Sequence, residues 1–141
     1  MNAILVPIDG SKTALRAIGH AITQAKRIRA HVHLLNVQLL PDIYRTEHEY
    51  LAVALNRQLT TRRAKAILKP AVARLQRAHV PHTVHIIYGD VAPSIARAVR
   101  RLKCDSIVMG TRGLGPIGGL LLGSVATKVI HLVKTPITLV K

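Results

Sequence analysis

Short runs of branched aliphatic residues alternate with segments of helical period along the whole chain, and this alternation constrains the fold more than any single motif. Ala3 to Ile8 is a continuous apolar run, the pattern of a strand covered on both faces. Ser11 is placed to cap a helix reaching about Arg29, with Ala14, Ile18, Ala21, Ile22, Ala25 and Ile28 on one face. His31 to Gln38 reads as a second strand, Pro41 to His48 as a loop, and Glu49 to about His79 as a second helix that Pro70 should kink or restart. His82 to Tyr88 forms a third strand and Gly89-Asp90 a turn. Ala92 to Lys103 follows as a third helix, with Ile95, Val99 and Leu102 inward and Arg97, Arg100, Arg101 and Lys103 outward. Asp105 to Gly110 is a fourth strand, Ser124 to about Val133 a fourth helix, and Ile137 to Val140 a last strand opened by Thr135-Pro136. An α/β domain with an open, five-stranded parallel sheet and helices on both faces is expected, spanning residues 1–141.

Such sheets bind ligands outside the carboxyl ends of their strands, where strand order reverses. The segment from Gly110 through Gly113 to Gly123-Ser124 joins a buried strand to a helix N-terminus. The first turn of a helix leaves backbone N–H groups unpaired, and its dipole favours an anion there. Glycines let backbone approach a phosphate without Cβ atoms in the way, and Ser124 could cap the helix and offer its hydroxyl to the same anion. Two familiar phosphate motifs fail on context. Gly113-Leu-Gly115-Pro-Ile-Gly118 matches the dinucleotide fingerprint by letter, yet it follows the fourth strand and no acid occurs after Asp105. Gly118 to Ser124 resembles a P-loop without its lysine.

The spacing Gly110-x2-Gly113-x9-Gly123-Ser124 does resemble the nucleotide-binding signature of the ATP-binding universal stress proteins. Val6-Pro7-Ile8-Asp9-Gly10-Ser11 is similar to that family's first strand and turn, and Asp105 to Gly110 to its fourth strand. Gly123-Ser124-Val125-Ala126 and Thr135-Pro136-Ile137 are similar to its closing helix and strand. The resemblance implies a Rossmann-like sheet of order 3-2-1-4-5 and a homodimer paired through the last strand. It also implies an adenine nucleotide, ATP or AMP/ADP, with Mg²⁺ as an accompanying ion. Carried over by position, Pro7, Ile8 and Asp9 would line the adenosine pocket, with Asp9 near the ribose or a phosphate-bound Mg²⁺. Val37 would meet the adenine edge by its backbone, and Met109 and Gly110 would flank the ribose. Arg112, Gly113, Gly123, Ser124 and Val125 would surround the phosphates. In this reading the protein is a regulatory binding module of the stress response. Some family members hydrolyse ATP slowly, but the sequence names no base for the attacking water.

Plainer roles stand beside these. Asp9 could cap the first helix, and Asp90 reads as a turn residue rather than a catalyst. His31 and His33 alternate on one strand while His79, His82 and His85 recur at threes; without accompanying acids or cysteines they read as solvent-facing or half-buried side chains. Cys104 is the sole cysteine, which suits a reducing cytoplasm, and its basic neighbours could lower its pKa. No membrane span is expected, because the longest uncharged stretch is interrupted by glycines and a proline. Twenty-one Lys and Arg against six Asp and Glu give a net charge of +15, a field that attracts anions. Arg57, Arg62, Arg63, Lys65, Lys69, Arg74 and Arg77 crowd one helical region. They read first as a solvated face. Weak, salt-sensitive nucleic-acid binding is the alternative, with only three tyrosines available for stacking.

Overall fold

A computed structural model describes residues 2–39, 47–112 and 122–141; for 47–54 it describes the backbone alone. Its elements run β1 (Ala3–Pro7), α1 (Lys12–Ile28), β2 (His31–Gln38), α2 (Glu47–Arg77) and β3 (His82–Tyr88). They continue with α3 (Val91–Arg101), β4 (Ser106–Gly110), α4 (Ser124–Leu132) and β5 (Ile137–Val140). All strand pairs are parallel, in the order β3-β2-β1-β4-β5. This is the expected Rossmann-like sheet, and the order reverses between β1 and β4.

The period of two along each strand divides the core into two layers. From β1, Ile4 and Val6 face one way with Val32, Leu34 and Val108, and meet the alanine-rich face of α1 and the Ala64, Leu68, Ala71 and Leu75 stripe of α2. Leu5 faces the other way with Leu35, Ile107 and Met109, against Ile95 and Val99 of α3 and Ala126 and Val129 of α4. Small side chains on α1 (Ala14, Ala17, Ala21, Ala25) bring that helix close to the sheet.

Element ends follow local chemistry. Ser11 caps α1, its hydroxyl accepting from Ala14 N–H at 3.2 Å, and Arg29 closes the helix in the left-handed region. His79 and Lys103 adopt the same left-handed conformation, so α2 and α3 stop two residues before the expected ends. Pro70 does not interrupt α2, contrary to expectation. Pro70 and Ala66 are both exposed, so water can satisfy the Ala66 carbonyl that loses its intrahelical partner. Asp105 lies outside β4 and works as a clamp: its backbone N–H donates to the Ala3 carbonyl, and its carboxylate accepts from Ala3 N–H at 2.7 Å. Among the described residues, no helix is long and apolar enough to cross a membrane.

Candidate nucleotide-binding site

The β1–α1 turn forms one wall of the crevice at the reversal point. Gly10 sits at φ 90°, where an L side chain would be strained. That conformation lets the Asp9 carboxylate accept from Ser11 N–H at 2.8 Å. Asp9 is therefore not the helix cap; it braces the residue that is.

The opposite wall begins at the end of β4. A Cβ on Gly110 would come within 2.9 Å of the Thr13 carbonyl carbon, so the approach of α1's first turn demands glycine there. Thr13 Oγ1 donates to the Arg112 carbonyl at 2.7 Å, and Ser11 Oγ lies 3.4 Å from the same oxygen. The two walls are thus tied across 99 residues of sequence. Thr111 is buried, donating through its N–H to the Val140 carbonyl and accepting from Gly123 N–H at 2.6 Å. This contact brings Gly123 back beside β4 and starts α4.

The helix cap differs from the sequence expectation. Gly123 is the N-cap and Ser124 the first helical residue, without a side-chain capping bond. The Ser124 side chain is exposed at the crevice, and the first-turn N–H groups of α4 have no partners within the helix. Arg112 is also exposed on its side-chain end. Gly113 lies outside the described residues, as does the rest of the expected loop as far as Leu121.

β2 supplies a third wall. Its odd residues turn their backbone groups toward β1: His31 N–H donates to Asn2 and the Leu35 carbonyl accepts from Ile8 N–H. Its even residues turn toward β3, as at Val32 and Gln38. β1 has ended beyond Ile8, so the N–H and C=O of Val37 face the crevice. Buried Asn36 fixes this junction, donating to the Ile8 carbonyl at 2.7 Å and accepting from Gln38.

These walls enclose a cavity of about 500 Å³. Pro7, Ile8, Asp9, Val37, Met109, Gly110, Arg112, Gly123, Ser124 and Val125 all line it. Sequence reasoning missed Leu35, Val91, Ile95, Thr111 and Ala126, which also line it and whose positions depend on packing rather than on a motif. The lining is divided. Leu35, Val37, Val91, Ile95 and Met109 make an apolar side, while Asp9, Ser11, Thr111, Arg112, Ser124 and the start of α4 make a polar one. Asp9 is the only carboxylate among the described lining residues.

The universal stress protein family model matches residues 1–141. The chain belongs to the universal stress protein family. It is 32% identical over 141 residues to a universal stress protein of Thermus aquaticus, covering 99% of this chain and 98% of that one. The universal stress protein UspA from Lactobacillus plantarum superposes with a TM-score of 0.83 at 23% identity, covering 99% and 97% of the two chains, a likeness of fold. A universal stress protein in complex with cAMP superposes with a TM-score of 0.71 at 25% identity, covering 99% and 95%.

Elsewhere in this universal stress protein, polar residues serve structure. Cys104 is buried, and burial followed by the negative charge of Asp105 pushes its thiol up to about 11. The expected lowering by basic neighbours does not occur. Asp90 sits at the N-cap of α3, its backbone carbonyl accepting from Ser94 N–H and its side chain making no cap bond, consistent with a turn residue. His79 ends α2, and His82 bonds the Val80 carbonyl. His31, His33 and His85 are half-buried on one face of β2 and β3. Among the described residues, no group of three or more His, Cys, Asp or Glu is arranged to hold a metal.

Proposed function

We propose that this universal stress protein is a regulatory module that binds an adenine nucleotide in the crevice between the β1–α1 turn and the start of α4. The observation that carries the reading is the divided lining of the cavity. A flat heterocycle suits the apolar side, where the exposed N–H and C=O of Val37 can pair with a base edge. A phosphate suits the polar side, where the start of α4 presents unpaired N–H groups. Its volume falls within the usual range for small-molecule sites, about 300–1,000 Å³. The related protein in complex with cAMP supports the ligand class.

ATP is the proposed occupant, with AMP and ADP as shorter forms. Pro7, Ile8 and Asp9 hold the nucleoside, Met109 and Gly110 flank the ribose, and Arg112, Gly113, Gly123, Ser124 and Val125 receive the phosphates. A single carboxylate suits Mg²⁺ held mainly by phosphate oxygens, and Asp9 is that carboxylate. The free edge of β5 supports a homodimer formed through the last strand, since an unpaired edge is a template for a second chain. The reading is of binding rather than turnover, in the cytoplasm.

Calorimetric titration with ATP, AMP and cAMP tests this. Losing a hydrogen bond to a charged phosphate costs about 1.5–3 kcal/mol, so Ser124→Ala should weaken ATP binding roughly 10- to 150-fold. Saturable binding with unchanged affinity in the variant would remove Ser124 from the site. No binding of any of the three nucleotides would overturn the reading.

A second reading, weak binding of nucleic acid, rests on α2. Arg57, Arg62, Arg63, Lys65, Lys69, Arg74 and Arg77 are all exposed, although Arg74 donates to the Leu15 carbonyl and Arg57 stacks on Tyr88. A gel-shift titration over a salt series tests it, because binding through phosphates falls steeply with salt. No shift at low salt ends this version.

A further inference from the structure

The sheet's other conspicuous polar feature lies on the β2–β3 edge, away from the crevice. β2 and β3 pair in register with His33 opposite Thr83 and Leu35 opposite His85. His33 and His85 are therefore diagonal neighbours on one face, the face that carries Leu35 against α3. His33 Nδ1 lies 3.0 Å from His85 Nε2, with ring centroids 5.2 Å apart. His31, two residues along β2, stacks beside His33 with a centroid distance of 4.8 Å. Its Nε2 is engaged with Thr83 Oγ1 at 2.8 Å.

We propose that His33 Nδ1 and His85 Nε2 form a two-imidazole chelating site for a borderline divalent cation of the zinc, nickel or copper class. The spacing is the argument. Zinc–imidazole bonds of about 2.0–2.1 Å at a tetrahedral angle place two ligand nitrogens about 3.3–3.4 Å apart. The hydrogen-bonded pair stands at 3.0 Å, so a small rotation of either ring admits the metal where the shared proton now lies. Both nitrogens must then present lone pairs. The bridging proton passes through solvent to the opposite nitrogen of its own ring, and no net proton is released from a neutral pair.

Neutral rings are what the surroundings provide. Burial holds His33 below the ordinary imidazole range, helped by His31 and His85; burial does the same at His85, helped by Arg101 of α3 and His31. Imidazole is a preferred ligand for zinc, copper and nickel, and both rings remain open to solvent on one side for entry. Two protein ligands leave the remaining coordination positions to water. With Arg101 nearby opposing a cation, coordination bonds rather than the local field must supply the affinity. His31 contributes no ligand, because its Nε2 belongs to Thr83.

The test is a Zn²⁺ titration of chelator-stripped full chain, read by ¹⁵N-edited spectra of the imidazole nitrogens. Saturable one-to-one shifts of His33 and His85 are expected. His33→Ala and His85→Gln should each weaken binding about tenfold or more, since even outer-shell losses cost that much at metal sites. His85→Gln keeps a hydrogen-bonding partner for His33, and unchanged backbone spectra verify that each variant is folded. His31→Ala should change affinity by less than threefold. Absence of saturable shifts at His33 and His85, or an equal loss in His31→Ala, would overturn the proposal.

Discussion

The crevice at the carboxyl ends of β1 and β4 and the outer edge formed by β2, β3 and α2 are built on opposite terms. At the crevice, protein contacts hold backbone: Thr13 and Ser11 meet the Arg112 carbonyl, Asn36 meets the Ile8 carbonyl, and Thr111 meets Gly123 and Val140. Several side chains are thereby committed to positioning, while the Val37 backbone and the first turn of α4 are left facing the cavity. At the outer edge, side chains pair with one another: His33 with His85, Arg57 over the Tyr88 ring at 4.6 Å, and Thr61 with the Tyr88 hydroxyl. The backbone there is already used by the β2–β3 ladder, and the side chains carry whatever chemistry the edge has. A rigid frame with open main-chain groups suits a ligand recognised by shape and charge. Clustered imidazoles and guanidiniums suit ions.

This contrast can be broken, first at its tightest point. Gly110→Ala pushes a Cβ into the Thr13 backbone and should cost about 2 kcal/mol of stability, an ordinary overpacking penalty. Urea denaturation measures it, and a loss near zero would mean that α1 can retreat and that the crevice frame is soft. Next in size, Thr13→Val removes the hydroxyl joining the two walls and should cost about 1 kcal/mol. It should also weaken nucleotide affinity although Thr13 does not line the cavity; stability loss without an affinity change would separate the frame from the site.

The outer edge should respond to acid instead. His31, His33 and His85 are held below the unfolded imidazole value, chiefly by burial. Positive charge adds to it: His82 lowers His31, His31 and His85 lower His33, and Arg101 and His31 lower His85. Below about pH 6.5 the unfolded chain binds protons that the folded chain resists, so stability falls as pH drops from there through the lowered values. Urea midpoints at pH 7.5 and 5.5, measured with a chelator present, should show this drop, and His33→Ala should flatten it. An unchanged slope would place the acid sensitivity elsewhere. The smallest effect is expected at Arg62→Gln, within about 0.5 kcal/mol, because the side chain is exposed. A larger loss would mean that the basic face of α2 is structural after all.

The sequence by itself determined what depends on period and local chemistry. Strands β2, β3 and β5 fall where alternation and branched residues put them, and α1 begins at Ser11, because these are short-range preferences written into neighbouring residues. Even the crevice was legible in outline, since a strand ending in Asp9-Gly10 and another ending in Gly110 must meet where the order of a parallel sheet reverses. The tertiary structure decided what depends on residues brought together from far apart. The α4 cap passed from Ser124 to Gly123 once Thr111 held the Gly123 N–H. Gly110, read as room for a ligand, proved to be room for α1 as well. Thr13 and Arg112, or His33 and His85, carry no shared signal along the chain, because their contact exists only after the strands are in register. Periodicity reports which face a residue takes, whereas only packing reports what it meets there.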